Sequence, residues 1–261
     1  MAVAIVTGAS RGLGRALALA LAERGWEVVV DGRGAEALDG LAAGRPRIHA
    51  VAGDVTDTWH RTALVTTAAD LGGVDLLVNN AGVLGGRGLA AVADLSLAEL
   101  RRAFEVNVLA PLGLLQETLP LLRASGGAVL NISSDAAVEA YPTWGGYGAT
   151  KAALEALSGS LAAELAAEPA EEAAHETADG QRAVRVWWVD PGEMDTAMYR
   201  AADAAAAAEA PRPEEGAVPG LLALLDARPP SGRYTAAGLV AEHGTAAEPT
   251  VSNVVGTEAA R

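Results

Sequence analysis

Thr7-Gly8-Ala9-Ser10-Arg11-Gly12-Leu13-Gly14 decides the fold of this chain through what stands on either side of it. The apolar run Val3–Val6 before it reads as a buried strand. After it, Leu13, Ala16, Leu17, Ala20 and Leu21 recur at helical spacing, and Gly25 supplies a stop. Strand, glycine-rich turn and helix form one βα unit. Glycines without a Cβ let the backbone turn tightly and approach a pyrophosphate. The helix N-terminus behind them offers free N–H groups and positive potential.

Working outward, the pattern repeats. Trp26–Val30, Ile48–Val51, Val74–Val78, Ala128–Ile132 and Val184–Val189 read as further buried strands, separated by segments of helical period. Leu97–Leu122 predicts a long helix bent at Pro111, and Tyr147–Ala167 predicts another. Strands alternating with helices give an α/β fold: a single Rossmann-type, doubly wound parallel sheet with helices on both faces and ligands at the carboxyl ends of its strands. The expected domain runs over residues 1–242. Within it, the acidic, Ala-rich stretch 168–181 reads as a surface insertion and 193–213 as a helical flap over a substrate. Residues 243–261 show no periodicity and read as an irregular tail.

Composition narrows the function classes. A formal charge of −14 argues against nucleic acid or an anionic membrane as the main partner. No apolar run reaches the ~18 residues of a membrane span. The first strand starts almost at Met1 and leaves no room for a targeting peptide, so the expected location is cytoplasmic. With no Cys and four scattered His, no metal site is expected. The chain uses eighteen Arg but one Lys, Lys151, which suggests a site that needs a compact ammonium.

The Gly-x-x-x-Gly-x-Gly spacing of Gly8, Gly12 and Gly14 is the one found in short-chain dehydrogenases/reductases, and the resemblance extends along residues 1 to 200. Asp54-Val55 follows the third strand, where that family places an Asp touching adenine. Asn79-Asn80-Ala81-Gly82 resembles its NNAG signature, Asn107 the Asn of its catalytic tetrad, and Asn131-Ile132-Ser133-Ser134 the end of its fifth strand. Tyr147-Gly-Ala-Thr-Lys151 matches its YxxxK motif, and Pro191-Gly192 with Thr196 its PGxxxT. The resemblance implies hydride transfer between a nicotinamide and a small-molecule carbonyl or alcohol. Ser10, Arg11, Leu13, Asn80, Ala81 and Gly82 would join the three glycines around the cofactor. The alternative is a non-catalytic dinucleotide-binding sensor or assembly subunit.

Tyr and Lys four apart share one helix face. Hydride transfer builds negative charge on the carbonyl oxygen, which a phenol can protonate. A nearby ammonium stabilises the phenolate needed for the reverse reaction. Tyr147 is therefore the expected acid/base and Lys151 its tuner and cofactor anchor. Family spacing places the catalytic Ser thirteen residues before the Tyr, selecting Ser134 over Ser133 to hold the substrate oxygen. Asn107 would hold a water linking Lys151 to solvent.

The second strand ends Val30-Asp31-Gly32-Arg33. Gly32 occupies the position that is usually acidic in NAD enzymes, while Arg33 and Arg11 suit a 2′-phosphate. NADP(H) is the favoured cofactor and NAD(H) the alternative, since a one-residue difference in strand geometry would turn Asp31 toward the ribose. The family commonly pairs through its two long helices. The second presents Ala152, Ala153, Ala156, Ser160 and Ala163, so a homodimer or homotetramer is expected. After Tyr234-Thr235 the chain lacks the family's closing Asp-Gly-Gly segment.

Overall fold

Successive residues of the first strand, β1 (Val3–Val6), go to opposite faces of the sheet: Ala4 and Val6 into one core, Val3 and Ile5 into another. Strands covered on both faces need apolar side chains throughout, which is why β1, β4 (Leu76–Asn79) and β5 (Ala128–Ile132) are buried along their whole length. The computed structural model describes residues 1–86, 89–168 and 183–241. All strand pairings are parallel, in the order β3-β2-β1-β4-β5-β6-β7, with β2 at Glu27–Gly32, β3 at Ile48–Ala52 and β6 at Arg185–Asp190.

One face is covered by α1 (Gly12–Glu23) and α2 (Ala35–Ala42), the other by α3 (Thr58–Asp70). The chain winds from β1 outward to β3, returns, and builds the other half from β4. The order therefore reverses between β1 and β4, and the crevice at their carboxyl ends is the ligand position of such sheets.

The long helix expected over 97–122 is three pieces: α4 (Leu97–Phe104), one π-helical stretch (Glu105–Leu109) and α5 (Ala110–Ser125). Ser96 caps α4 by accepting from the Glu99 N–H. The irregularity lies upstream of Pro111, which sits in the first turn of α5. A regular helix would pair the N–H of residue 111 with the carbonyl of Asn107, and proline has none to give. The π turn absorbs the defect and carries Asn107, as such bulges often do at functional sites.

α6 (Gly145–Ala167) follows β5. Residues 169–182, the bulk of the expected insertion, lie outside the described residues, as does the expected tail 243–261. The stretch expected as a flap contains two short helices, α7 (Ala197–Ala202) and α8 (Ala204–Glu209), with Ala207 fully buried. Then come α9 (Ala217–Ala227), the seventh strand β7 (Gly232–Thr235) and α10 (Ala236–Ala241); β7 extends the six strands expected. Of the tandem tryptophans in β6, Trp187 is fully buried and donates its indole N–H to the Pro229 carbonyl at 3.1 Å, whereas Trp188 is half-buried.

Candidate active site

The glycine-rich turn is held from several sides. Gly8 has φ +67°, and a Cβ there would stand 2.8 Å from the Ala81 Cα. At Gly14 a Cβ would meet the Asn80 amide at 2.4 Å, so the missing atom is what lets α1 approach the β4 loop. Asn80 donates to the Thr7 carbonyl at 2.7 Å, and the Thr7 hydroxyl oxygen accepts from the Asn80 and Ala81 N–H groups at 3.0 Å each. The N-terminus of α1 has no side-chain cap and no acidic residue in its first turn. Its amides and positive potential are thus open to an anion. These features fit a dinucleotide's pyrophosphate.

Gly8, Ser10, Arg11, Gly12 and Leu13 line one cleft with Asp31, Gly32 and Arg33. Asp31 is buried, and its two carboxylate oxygens contact the Gly8 N–H at 2.5 Å and His60 Nε2 at 3.2 Å. Arg11 and Arg33 are exposed and make no ion pair among the described residues.

Asp54, Val55, Asn80, Ala81 and Gly82 line the same cleft. Asp54 Oδ1 accepts from the Thr56 N–H and hydroxyl at 3.0 and 2.8 Å, and Oδ2 from Arg102 at 2.6 Å. Burial pushes the Asp54 carboxyl up, but Thr56 and Arg102 outweigh it and hold it at about 2. Arg102 also lines the cleft, and nothing in its sequence context singles it out.

Tyr147 and Lys151 lie on one face of α6, both buried, and both line the cleft, as do Pro191 and Thr196. Lys151 Nζ donates to the Ile132 carbonyl at 2.6 Å. Burial lowers the Lys151 ammonium to about 8, with Glu155 pulling the other way. The Tyr147 phenol is raised, first by burial and then by Asp190 and Asp135. The depression expected from Lys151 is not what the chain by itself shows: the ammonium lies 5.6 Å from the ring centroid and two carboxylates act on the phenol.

Ser134, Asn107 and Gly192 do not line the cleft itself. The half-buried Ser134 hydroxyl donates to Asp135 Oδ1 at 2.9 Å. Ser133 is buried and donates to Glu155 at 2.5 Å. The Asn107 amide is used up by protein: it accepts from the Val83 N–H and donates to the Val83 carbonyl and the Thr150 hydroxyl, each at 2.9 Å. A water there would have to be held by the main-chain carbonyl that Pro111 leaves without its usual donor. The Gly192 N–H donates to Asp190 at 3.0 Å.

Beside the Tyr147–Lys151 pair, Trp144 stands edge-on to Tyr147 with ring centroids 5.8 Å apart. The Tyr141 hydroxyl lies 3.0 Å from Asp135 and 2.8 Å from Glu139. Glu193 hydrogen-bonds Tyr199 and pushes its phenol up to about 12. Among the described residues no cluster of His, Asp or Glu could hold a metal, and no helix is long and apolar enough to cross a membrane.

A doubly wound sheet with an open helix N-terminus and a Tyr–Lys pair on one cleft defines a Rossmann-type protein with a candidate reaction centre. Its family follows from comparison: the short chain dehydrogenase profile matches residues 2–207, and the chain belongs to that family. An uncharacterized oxidoreductase of Staphylococcus epidermidis is 33% identical over 77% of this chain and 81% of its own. A short-chain dehydrogenase from Streptomyces avermitilis superposes with a TM-score of 0.75 at 31% identity, covering 93% of this chain and 91% of that one. One from Shigella flexneri, solved with NADP, gives 0.77 at 26% identity, covering 90% and 97%. With other curated relatives the match spans 59% and 64% of their length.

Proposed function

We propose that this protein is an NADP-dependent carbonyl reductase or alcohol dehydrogenase. The observation that carries the reading is one cleft lined both by the Tyr147–Lys151 pair and by two guanidiniums, Arg11 and Arg33, that make no ion pair among the described residues. Gly8, Gly12, Gly14 and the N-terminus of α1 would hold the pyrophosphate. Arg11 and Arg33 would hold a 2′-phosphate, and Asp54-Val55, Asn80-Ala81-Gly82 and Pro191-Gly192 with Thr196 the remaining faces. The bound nicotinamide would supply or accept the hydride.

The protein's own part is the proton. Tyr147, held protonated by burial and two carboxylates, is poised to donate to the carbonyl oxygen as charge builds there. Ser134 would turn its hydroxyl from Asp135 to the same oxygen. Lys151 anchors the cofactor ribose and, with a water on the Asn107 main chain, replenishes the proton. A raised phenol keeps the transferable proton in place for the reductive direction near neutral pH. The carboxylates near the phenol, with Asp135 acting on Tyr147 and joined to Glu139 through Tyr141, would disfavour anionic substrates. The small residues exposed along α6 favour a homodimer.

The test is fluorescence titration with NADPH and NADH, then turnover of NADPH with a panel of neutral, cationic and anionic ketones. The expected result is tighter NADPH binding and reduction of neutral or cationic ketones. Binding without turnover across the panel would favour a non-catalytic sensor, and no binding of either cofactor would defeat the reading.

A further inference from the structure

Alternation along β2 separates two neighbouring residues by function. Val28 and Val30 point into the core under α1, and Val29 into the core under α3. Asp31 shares the parity of Val29 and faces α3, where His60 meets it. Gly32 shares the parity of Val30, and a Cβ on it would meet the Ser10 Cβ at 3.0 Å, on the face where the glycine-rich turn opens. Position 32 faces that opening directly, whereas Asp31, though it borders the same cleft, spends its carboxylate on the Gly8 N–H and His60.

Asp31 instead holds the turn from beneath at two points. Its carboxylate accepts the Gly8 N–H at 2.5 Å and its main-chain carbonyl accepts the Ala9 N–H at 2.8 Å. His60 takes the second carboxylate oxygen, and the pair is almost fully buried. Room for the imidazole comes from Gly53, where a Cβ would stand 2.2 Å from His60 Nδ1.

We propose that Asp31 and His60 are positioning residues of the dinucleotide site. They lock the glycine-rich turn in the shape that receives a pyrophosphate and take no part in reading the ribose. Both NADP(H) and NAD(H) present a pyrophosphate, so this pair acts on them alike, whereas Arg11 and Arg33 tell them apart. The inference rests on the dinucleotide reading above.

The experiment compares Asp31→Ala, Asp31→Asn, His60→Leu and His60→Gln with wild type. It measures NADPH and NADH dissociation constants and hydrogen exchange of residues 7–14 in protein without added cofactor. Losing a charge-assisted hydrogen bond corresponds to about tenfold or more in affinity. Asp31→Ala should weaken both cofactors by about that factor with their ratio kept, and should speed exchange in the turn. Asp31→Asn keeps an acceptor for Gly8, and His60→Gln keeps a donor for Asp31; both should recover most of the loss. Should Asp31→Ala fail to fold, His60→Leu keeps the Gly8 acceptor and reads the loss of its support, with the same direction expected in affinity and exchange. A selective change in NADH affinity would overturn the proposal, and so would unchanged affinities with unchanged exchange. A wild type that binds neither cofactor defeats the dinucleotide reading, a separate outcome from turn exchange that ignores Asp31.

Discussion

Lys151 Nζ stands 5.6 Å from the centre of the Tyr147 ring, one turn along the same helix, and gives a hydrogen bond to the Ile132 carbonyl rather than to a carboxylate. A buried ammonium without a close counter-ion is costly to the fold. Its pKa falls from 10.5 to about 8, a shift worth about 3 kcal/mol. The unfolded chain binds the proton more tightly. The penalty is thus complete below pH 8 and vanishes as pH rises past 10.5. Lys151→Met should therefore stabilise the protein by about 1–2 kcal/mol at pH 7, after loss of the bond to Ile132. The gain should shrink by pH 10. Urea melts at both pH values check this, and a variant less stable than wild type at pH 7 would refute the cost assigned to the charge.

Tyr147→Phe removes the transferable proton and leaves the ring against Trp144. Cofactor affinity should stay within about twofold and turnover should fall at least ~100-fold, the usual worth of a positioned acid/base. In wild type the raised phenol should put the rise of any alcohol-oxidation rate on the alkaline side, since oxidation would need the phenolate. Rate–pH profiles in both directions read this. Near-normal ketone reduction by Tyr147→Phe would sink the mechanism.

Arg33→Asp should weaken NADPH far more than NADH. A lost charge-assisted contact costs roughly 1.5–3 kcal/mol, about ten- to a hundredfold. The wild-type and variant ratios of the two dissociation constants decide it. An unchanged ratio would remove Arg33 from the 2′-phosphate pocket.

Gly14→Ala tests the close approach of α1 to the β4 loop. The added Cβ would stand 2.4 Å from Asn80 Nδ2 and 2.8 Å from the Gly8 carbonyl. Overpacking of this kind costs about 1–3 kcal/mol. Stability and cofactor affinity should drop together, because the displaced Asn80 amide also ties down Thr7. A variant with wild-type melting and binding would show that the turn tolerates the wider spacing.

Much of the scaffold is legible in the sequence because strands buried on both faces read as unbroken Val, Ile and Leu runs. β7 escapes notice since Gly232-Arg-Tyr-Thr235 is only half-buried, and its Arg233 reaches across to Glu155 at 3.0 Å. The π turn hides inside an uninterrupted helical period, and Pro111, the visible irregularity, lies just beyond the distortion it accompanies. Asp31 is ambiguous in the sequence, yet in the strand it shares the parity of Val29 and meets His60 on the α3 face. The partners Arg102 and His60 carry no motif; contacts across 48 and 29 residues of sequence bring them to Asp54 and Asp31.

Assembly gives the last prediction. Along α6, Ala152, Ala156, Ser160 and Ala163 are exposed beside the exposed Leu157. Together with α5 this helix borders an apolar groove lined by Leu112, Leu115, Leu157 and Leu161, with Asn131 and Ser158 at its floor. The floor is internally satisfied, since Asn79 donates to Asn131 at 2.8 Å and Asn131 to Ser158 at 2.7 Å. What the groove offers a partner is therefore apolar area and close helix approach, the terms that favour a two-fold contact between copies of one chain. Ala156→Arg puts a charge at the centre of that face, away from the cleft, and should convert a dimer to a monomer at micromolar concentration with the helical signal unchanged. Light scattering and circular dichroism on both proteins decide it. A wild type that is already monomeric, or a variant that keeps its partner, would exclude this face as the interface.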